Sequence, residues 1–292
     1  MEQLVQAIWG GLVFGSVYGL MAVGLTLVWG SLNLLNLAHG AIYVVGGYVG
    51  YTFMVGLGVN WILAFGAAIV VSGLLGVLLH LVVVVPMLGK PGWDNASWIA
   101  TVAVGTLLGA VVLLVYGPGI QAMPAAIRGN FVLGHIVFQY QEILVCGVAV
   151  VLLILLNGFL RKSRHGLAIR AVSQQRDAAQ LMGIPVAMVF LTVMGVSAAL
   201  AGLAGAMLSS VLVLNPTAGF VPMLKALIVT IFGGLGSVKG TIVAAYIIGL
   251  VEAFVQTFLG ATWSLPVLFL VIIVVLLVRP QGLYGTPELQ RL

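Results

Sequence analysis

Polar chemistry is scarce in this chain, so the places where it gathers stand out. Only 11 Lys and Arg and 6 Asp and Glu are spread over 292 residues. Five of the cations, Arg161, Lys162, Arg164, Arg170 and Arg176, fall in one stretch, "RKSRHGLAIRAVSQQRDAAQLMGIP", residues 161–185. Asn33, Asn36 and His39 interrupt an otherwise apolar run just before Gly40, and Gly233, Gly234 and Gly236 interrupt a second run in the C-terminal half. Lys225 and Glu252 stand isolated among apolar neighbours. Groups of this kind can receive polar cargo or dock a partner. Enzymatic chemistry lacks its parts: there is no H-E-x-x-H and no G-K-[ST] phosphate loop, and Ser209 in "LSSV" has no G-x-S-x-G context. Cys146 is the single cysteine and has no partner for a disulfide or a metal-thiolate site. His80 has no acidic partner in sequence, and His135 has no second ligand-type residue nearby. No catalytic residue and no metal site is expected.

The elements that must position these groups are set by the solvent. Hydrophobic residues make up 62% of the chain and charged residues 6%, against about 25% charged in a soluble domain. Successive apolar stretches have the roughly 17–25 residues that a helix needs to cross a bilayer. Backbone groups in lipid must be satisfied internally, by helices or a closed barrel. Continuous apolar runs without strict alternation exclude the barrel. The expectation is an all-α, polytopic membrane bundle of 8–9 transmembrane helices with short broken or re-entrant segments, one domain over 1–292.

Spans are expected near 4–29, 41–59, 61–85, 97–116, 142–160, 186–214, 239–259 and 264–279, with a shorter apolar piece at 222–234. The first has no basic leader and is too long for a signal core, so it reads as a retained helix. The positive-inside rule puts the 161–185 cassette in the cytoplasm. Counting outward then places Lys90, Lys239, Arg279 and Arg291 inside as well, and only Arg128 and Lys225 outside. The N-terminus lies outside and the C-terminus inside on this count. The net charge of +5 belongs to membrane-flanking loops and implies no nucleic acid. Small residues recur every four positions at Gly11, Gly15 and Gly19, at Ala198, Gly202 and Ala206, and at Ala201, Gly205 and Ser209. Such stripes let helices approach closely in lipid, within one bundle or between two chains. The outer loop 117–141 carries "NFVLGHIVF", a short hairpin signal around Gly134, with His135 as a solvated loop residue.

Within the cassette, Gly183 and Pro185 stop a short helix whose Leu167, Ala171, Ala178 and Leu181 share one face. It reads either as a basic interfacial helix on anionic lipid or as a docking piece. The Asn33–Asn36–His39 break reads either as a turn or as part of a polar path. Paired interruptions in two halves are a pointer to such a path, because freed amides and half-helix N-termini can face cargo. Helices starting near Gly40 and Gly240 would direct positive dipole ends there. Asn215, in "VLNPTAGFVP", reads as a turn or lid over the path. Lys225 and Glu252 fall at similar depth on antiparallel neighbours. An unpaired charge in a membrane costs about 2.5–3.5 kcal/mol on the lenient scale, which favours a pair over a snorkelling lysine.

Three segments carry a resemblance. "NLLNLAHGAIYVVGGYV", "GLAIRAVSQQRDAAQLMGIP" and "NPTAGFVPMLKALIVTIFGGLGSVKGTIVAAYIIGLVEA", with the closing "RPQGLYG", lie in order over nearly the whole chain. They resemble LivH-type permeases of branched-chain amino acid (hydrophobic amino acid uptake) ABC importers. The resemblance implies a cytoplasmic coupling helix over Gly166 to Gly183, with Arg170, Arg176 and Asp177 as polar contacts to an ATPase. It also implies a second permease subunit, two ATPase subunits holding ATP and Mg, a periplasmic substrate-binding protein, and a place in the bacterial inner membrane. The chain itself would hold no cofactor. Ala41 stands where the family often has an acidic residue, and "HLVVVVPMLGKPG" replaces an Arg-containing segment. These departures leave the cargo open among branched-chain and other neutral amino acids, urea, amides and small carboxylates. The other class is a stand-alone secondary transporter or channel, for which membrane-embedded acids are nearly absent, only Glu252 and Glu142.

Overall fold

The first 31-residue helix, α1 (Glu2–Leu32), runs through the middle of the molecule and is the axis on which the rest is built. Its most apolar window is 89% buried, because α8 (Val186–Leu208), α9 (Phe220–Gly233) and α10 (Val238–Phe258) pack around it. A computed structural model describes residues 1–88, 90–133 and 136–285. The element order after α1 is α2 (His39–Tyr51), α3 (Trp61–Leu79), α4 (Trp93–Tyr116), the strands β1 (Asn130–Leu133) and β2 (Ile136–Gln139), α5 (Tyr140–Lys162), α6 (Arg164–Gln174) and α7 (Arg176–Leu181). Then come α8, α9, α10 and α11 (Ser264–Val278). One π turn, Thr52–Gly56, extends α2, and another, His80–Val84, extends α3.

Seven helices among the described residues are long and apolar enough to cross a membrane. Two of them, Asn95–Tyr116 and Ala261–Val278, bury only 11% and 17% of their most apolar stretches within this chain. The short pieces α2 and α9 are not among the seven. The helix expected over 186–214 ends at Leu208, since Ser209 and Ser210 turn their hydroxyls back onto the carbonyls of Gly205 and Met207 and the β-branched, Pro-containing "VLVLNP" follows. Between α4 and α5, Phe131 pairs with Phe138 and Val132 with Val137 in an antiparallel ribbon. The residues 134–135 at its tip, including His135, lie outside the described residues, as does Arg291.

Lipid offers helices no hydrophobic drive to associate, so close packing carries the association. The small-residue stripes supply it within this chain. Gly11 meets Leu250 of α10, where a Cβ would lie 2.7 Å from the Leu250 Cα, and Gly15 meets Tyr246 at 2.9 Å in the same way. Gly202 faces Ser72 of α3 on one side, and at Gly46 of α2 a Cβ would fall inside the Gly202 backbone. Buried hydroxyls bridge the same helices: Thr26 to Thr241 at 2.7 Å, and Thr230 to the Ala22 carbonyl at 3.1 Å.

Candidate functional site

The chain between α1 and α2 does not stay at the end of the bundle. Asn33 closes α1 in a left-handed conformation (φ 52°), its N–H donating to the Trp29 carbonyl at 2.8 Å. Residues 34–38 then climb back beside α1. His39, fully buried, has Nε2 3.1 Å from the Met21 carbonyl oxygen, and Met21 lies roughly 16 Å before the end of α1 at ~1.5 Å per residue. Thus α2 starts deep beside α1. Non-helical backbone at such a depth needs protein or water partners. Asn36 supplies one: its Oδ1 accepts the Ala38 N–H at 3.1 Å, and its carbonyl accepts the His39 N–H at 3.3 Å. Thr101 of α4 accepts the Leu37 N–H at 3.2 Å. His39 Nδ1 has no partner among the described residues.

Gly40, one residue on, meets the loop between α8 and α9, where a Cβ would lie 2.6 Å from the Gly219 carbonyl. Beside this contact is a groove of about 460 Å³, bordered by Gly40, Ala41, Gly105, Pro216, Thr217 and Phe220. Asn215 shapes its far wall by accepting the Thr217 N–H at 3.0 Å and the Thr217 hydroxyl at 2.9 Å, a local side-chain turn. Two polar interruptions far apart in sequence therefore meet.

The glycines of the second half do not join them. Gly233 packs on the start of α10, with a Cβ position 2.6 Å from the Thr241 nitrogen. Gly234 takes φ 99° at the end of α9, a conformation that favours glycine. The closing segment lies against both: Leu283 N–H donates to the Phe232 carbonyl at 2.8 Å and Tyr284 N–H to the Gly233 carbonyl at 3.1 Å. The "RPQGLYG" stretch thus satisfies carbonyls that the end of a helix leaves open. Gly236 instead borders a cavity of about 780 Å³ with Asn33, Ser173, Gln174, Gln281 and Tyr284, at the end of the bundle that bears the cassette. The residues singled out for a path lie in two places, one deep and one terminal, with Gly233 and Gly234 packed behind.

Lys225 and Glu252 are brought together. Nζ lies 2.5 Å from Oε1, with the carboxylate side chain fully buried and the lysine 12% exposed. The Lys225 ammonium also donates to the Tyr18 hydroxyl at 3.0 Å, and Gln256 Nε2 donates to the same Oε1 at 2.8 Å. Glu252 Oε2 has no partner among the described residues. The Gln256 contact was readable as an i, i+4 pair on one helix; the Tyr18 contact crosses from α1 and had no sequence signal. Glu142 pairs similarly out of sequence reach, its Oε2 accepting from Trp9 Nε1 at 2.6 Å.

In the cassette, the expected single helix over Gly166 to Gly183 is two, α6 and α7, because Gln175 turns extended (φ −155°, ψ 107°) between them. Ser163 caps α6 by accepting the Gly166 N–H at 2.9 Å. Gly166 lies against α5, its Cβ position 2.5 Å from the Leu160 Cα, and Gly183 ends α7 at φ 81°. Ile169, Val172 and Ala179 are the buried side chains, whereas Leu167, Leu181 and Met182 are exposed. Arg170 Nη2 donates to the Arg161 carbonyl at 3.3 Å, and the Arg176 guanidinium stacks 5.1 Å over Phe190 of α8. Asp177 is exposed beside it. The cassette is thus a cationic ledge of two short helices with an exposed apolar tip. Among the described residues no group of three or more His, Cys, Asp and Glu stands close enough to hold a metal.

Residues 7–276 match the family model described as branched-chain amino acid transport system / permease component. The chain is 31% identical to the high-affinity branched-chain amino acid transport system permease protein BraD of Pseudomonas aeruginosa, over 100% of this chain and 97% of that protein. It is 30% identical to the corresponding LivH of Escherichia coli over 98% and 97%. It is 28% identical to a probable LivH of Methanocaldococcus jannaschii over 94% and 91%. A fructose import permease protein, FrcC of Rhizobium meliloti, is 30% identical over 41% of the chain. Among solved structures, none matches.

Proposed function

Because this chain belongs to the family of branched-chain amino acid transport system permease components, we propose that it is the membrane permease subunit of an ABC importer for branched-chain or other small neutral amino acids. The observation that carries this reading is similarity along the whole chain to proteins of that one activity. In this reading ATP is hydrolysed, with Mg, on two separate ATPase subunits. A second permease completes the path, and a periplasmic binding protein delivers cargo at the inner membrane. In this reading α2 and α9 count as broken passes, and the N-terminus lies outside and the C-terminus in the cytoplasm, as the positive-inside rule favours. The test is to purify the tagged chain from its native membrane and identify what accompanies it. Two ATPase subunits and a second permease are expected; a chain that purifies alone and transports amino acids unaided would be a secondary transporter.

The cargo path is assigned to the deep break: Asn36, His39 and Gly40 from one side, Asn215 and its turn from the other, with Asn33 and Gly236 at the inner mouth. Gly233 and Gly234 hold the backbone behind it. Broken helices whose free ends face a cavity are how membrane proteins receive polar cargo. Replacement of Ala41 by Trp, which fills the groove beside Gly40, is expected to abolish most uptake while subunit assembly survives. Undiminished uptake in vesicles would remove the groove from the path.

The coupling surface is assigned to α6 and α7, with Gly166 and Gly183 fixing their ends and Arg170, Arg176 and Asp177 facing the ATPase. Reversal of both charges, Arg170→Glu with Arg176→Glu, should weaken ATPase attachment by a few kcal/mol at most, as expected for rim charges, and unlink hydrolysis from transport. Substrate-stimulated hydrolysis at the unmodified level would place the coupling contact elsewhere.

A further inference from the structure

Three cations, Arg161, Arg170 and Lys239, border one cavity of about 600 Å³ between α1, α5, α6 and α10. Among the described residues none of them has a carboxylate in salt-bridge reach; the pair formed is that of Lys225 and Glu252. Arg170 spends one N–H on the Arg161 carbonyl. Lys239 sits in the first turn of α10, where Ser237 accepts only the Gly240 N–H at 3.2 Å and the Thr241 N–H at its carbonyl. The first amides of that helix have no acceptor within it and add positive potential.

Between these cations Leu27, Leu160, Ile169 and Val238 supply apolar wall, beside the polar Thr26, Ser173, Gln174, Ser237 and Tyr284. Asn157, also in the wall, lies roughly 8 Å inside the end of α5 at ~1.5 Å per residue. The cavity therefore runs from a charged mouth into membrane depth. The span of α5 buries only 22% of its most apolar stretch within this chain, and neither α2, α4 nor α9 contributes to the cavity.

We propose that this cavity binds an anionic phospholipid, with Arg161 and Lys239 on the headgroup phosphate, Arg170 left to the coupling surface, and an acyl chain between α1, α5 and α10. Basic pockets between transmembrane helices bind such headgroups because cation attraction and chain burial act together. Free phosphate offers the same charge and leaves the apolar wall wet. An acidic segment of a docked protein would meet the rim and leave the depth unfilled. The inference rests on membrane placement alone and stands whatever the chain transports.

The test is native mass spectrometry of the full-length chain, with its co-purifying subunits, in mild detergent. Phosphatidylglycerol, phosphatidylcholine and inorganic phosphate are added in separate arms. Phosphatidylglycerol is expected to be retained in preference to phosphatidylcholine. Arg161→Gln with Lys239→Gln should weaken that retention about 30-fold, the weight of two cations near an anionic headgroup, and leave phosphatidylcholine unaffected. Each single variant should weaken it about fivefold, and Arg161→Lys should preserve it, so a double variant that fails to insert does not remove the test. Equal retention in the variants would overturn the assignment. So would displacement of the lipid by inorganic phosphate, or retention that follows removal of the ATPase subunits instead of the substitutions.

Discussion

Lys225→Met should destabilise the protein by about 3–5 kcal/mol, the cost of leaving one member of a buried ion pair uncompensated. Glu252 is fully buried and Oε2 already lacks a partner among the described residues. Without Lys225, Oε1 keeps only the Gln256 amide, a neutral donor facing a full negative charge. The same carboxylate made neutral no longer demands a cation. Lys225→Met combined with Glu252→Gln should therefore recover much of the loss, a coupling of the kind that double-mutant cycles measure between residues in contact. Glu252→Gln alone should cost less than Lys225→Met, since the ammonium keeps the Tyr18 hydroxyl at 3.0 Å and is 12% exposed. Thermal unfolding of the purified chain in detergent reads all three. A double variant no more stable than Lys225→Met would show that the pair does not act as a unit.

Gly46→Leu should prevent native packing, at a cost above the ~1–3 kcal/mol usual for overpacked sites. A Cβ at Gly46 would fall within the backbone of Gly202 on α8, and Gly202 in turn is pressed against Ser72 of α3. The Gly202 backbone cannot swing away as a flexible side-chain tip would, so α2 and α8 must separate. Separation also exposes the Gly205 contact with the Tyr43 carbonyl one turn further along. Gly66→Leu is the matched comparison. It adds the same side chain in the membrane, on α3, where a Cβ meets nothing within 4 Å. That variant should be neutral or slightly stabilising, because replacing glycine in a helix interior gains up to ~1 kcal/mol. Size-exclusion profiles and unfolding temperatures of the two proteins decide the matter. Equal behaviour would mean that the α2–α8 crossing does not limit stability.

Composition and period alone determined that this is a helical membrane protein, because nothing else satisfies the backbone of such apolar runs in lipid. They also determined the order of the spans and the cationic cassette. The small-residue stripes were legible as contact faces, but which helix each would meet was not. A stripe records the need for close approach and carries no address; tertiary structure gave Gly11 and Gly15 to α10 and Gly202 to α2 and α3. Asn36 and Asn215 were legible as turn formers through their local hydrogen bonds, yet their meeting across the Gly40–Gly219 contact depends on how far residues 34–38 climb beside α1. Only the assembled bundle decides that. The same holds for the closing "RPQGLYG" segment, whose amides cap α9 across a gap of some fifty residues in the chain (Phe232 to Leu283), and for Tyr18, which completes the Lys225 site from α1. Sequence periodicity speaks for partners within a turn or two of helix. Partners supplied by another helix are chosen by packing, and in lipid packing is settled only when all the helices are in place.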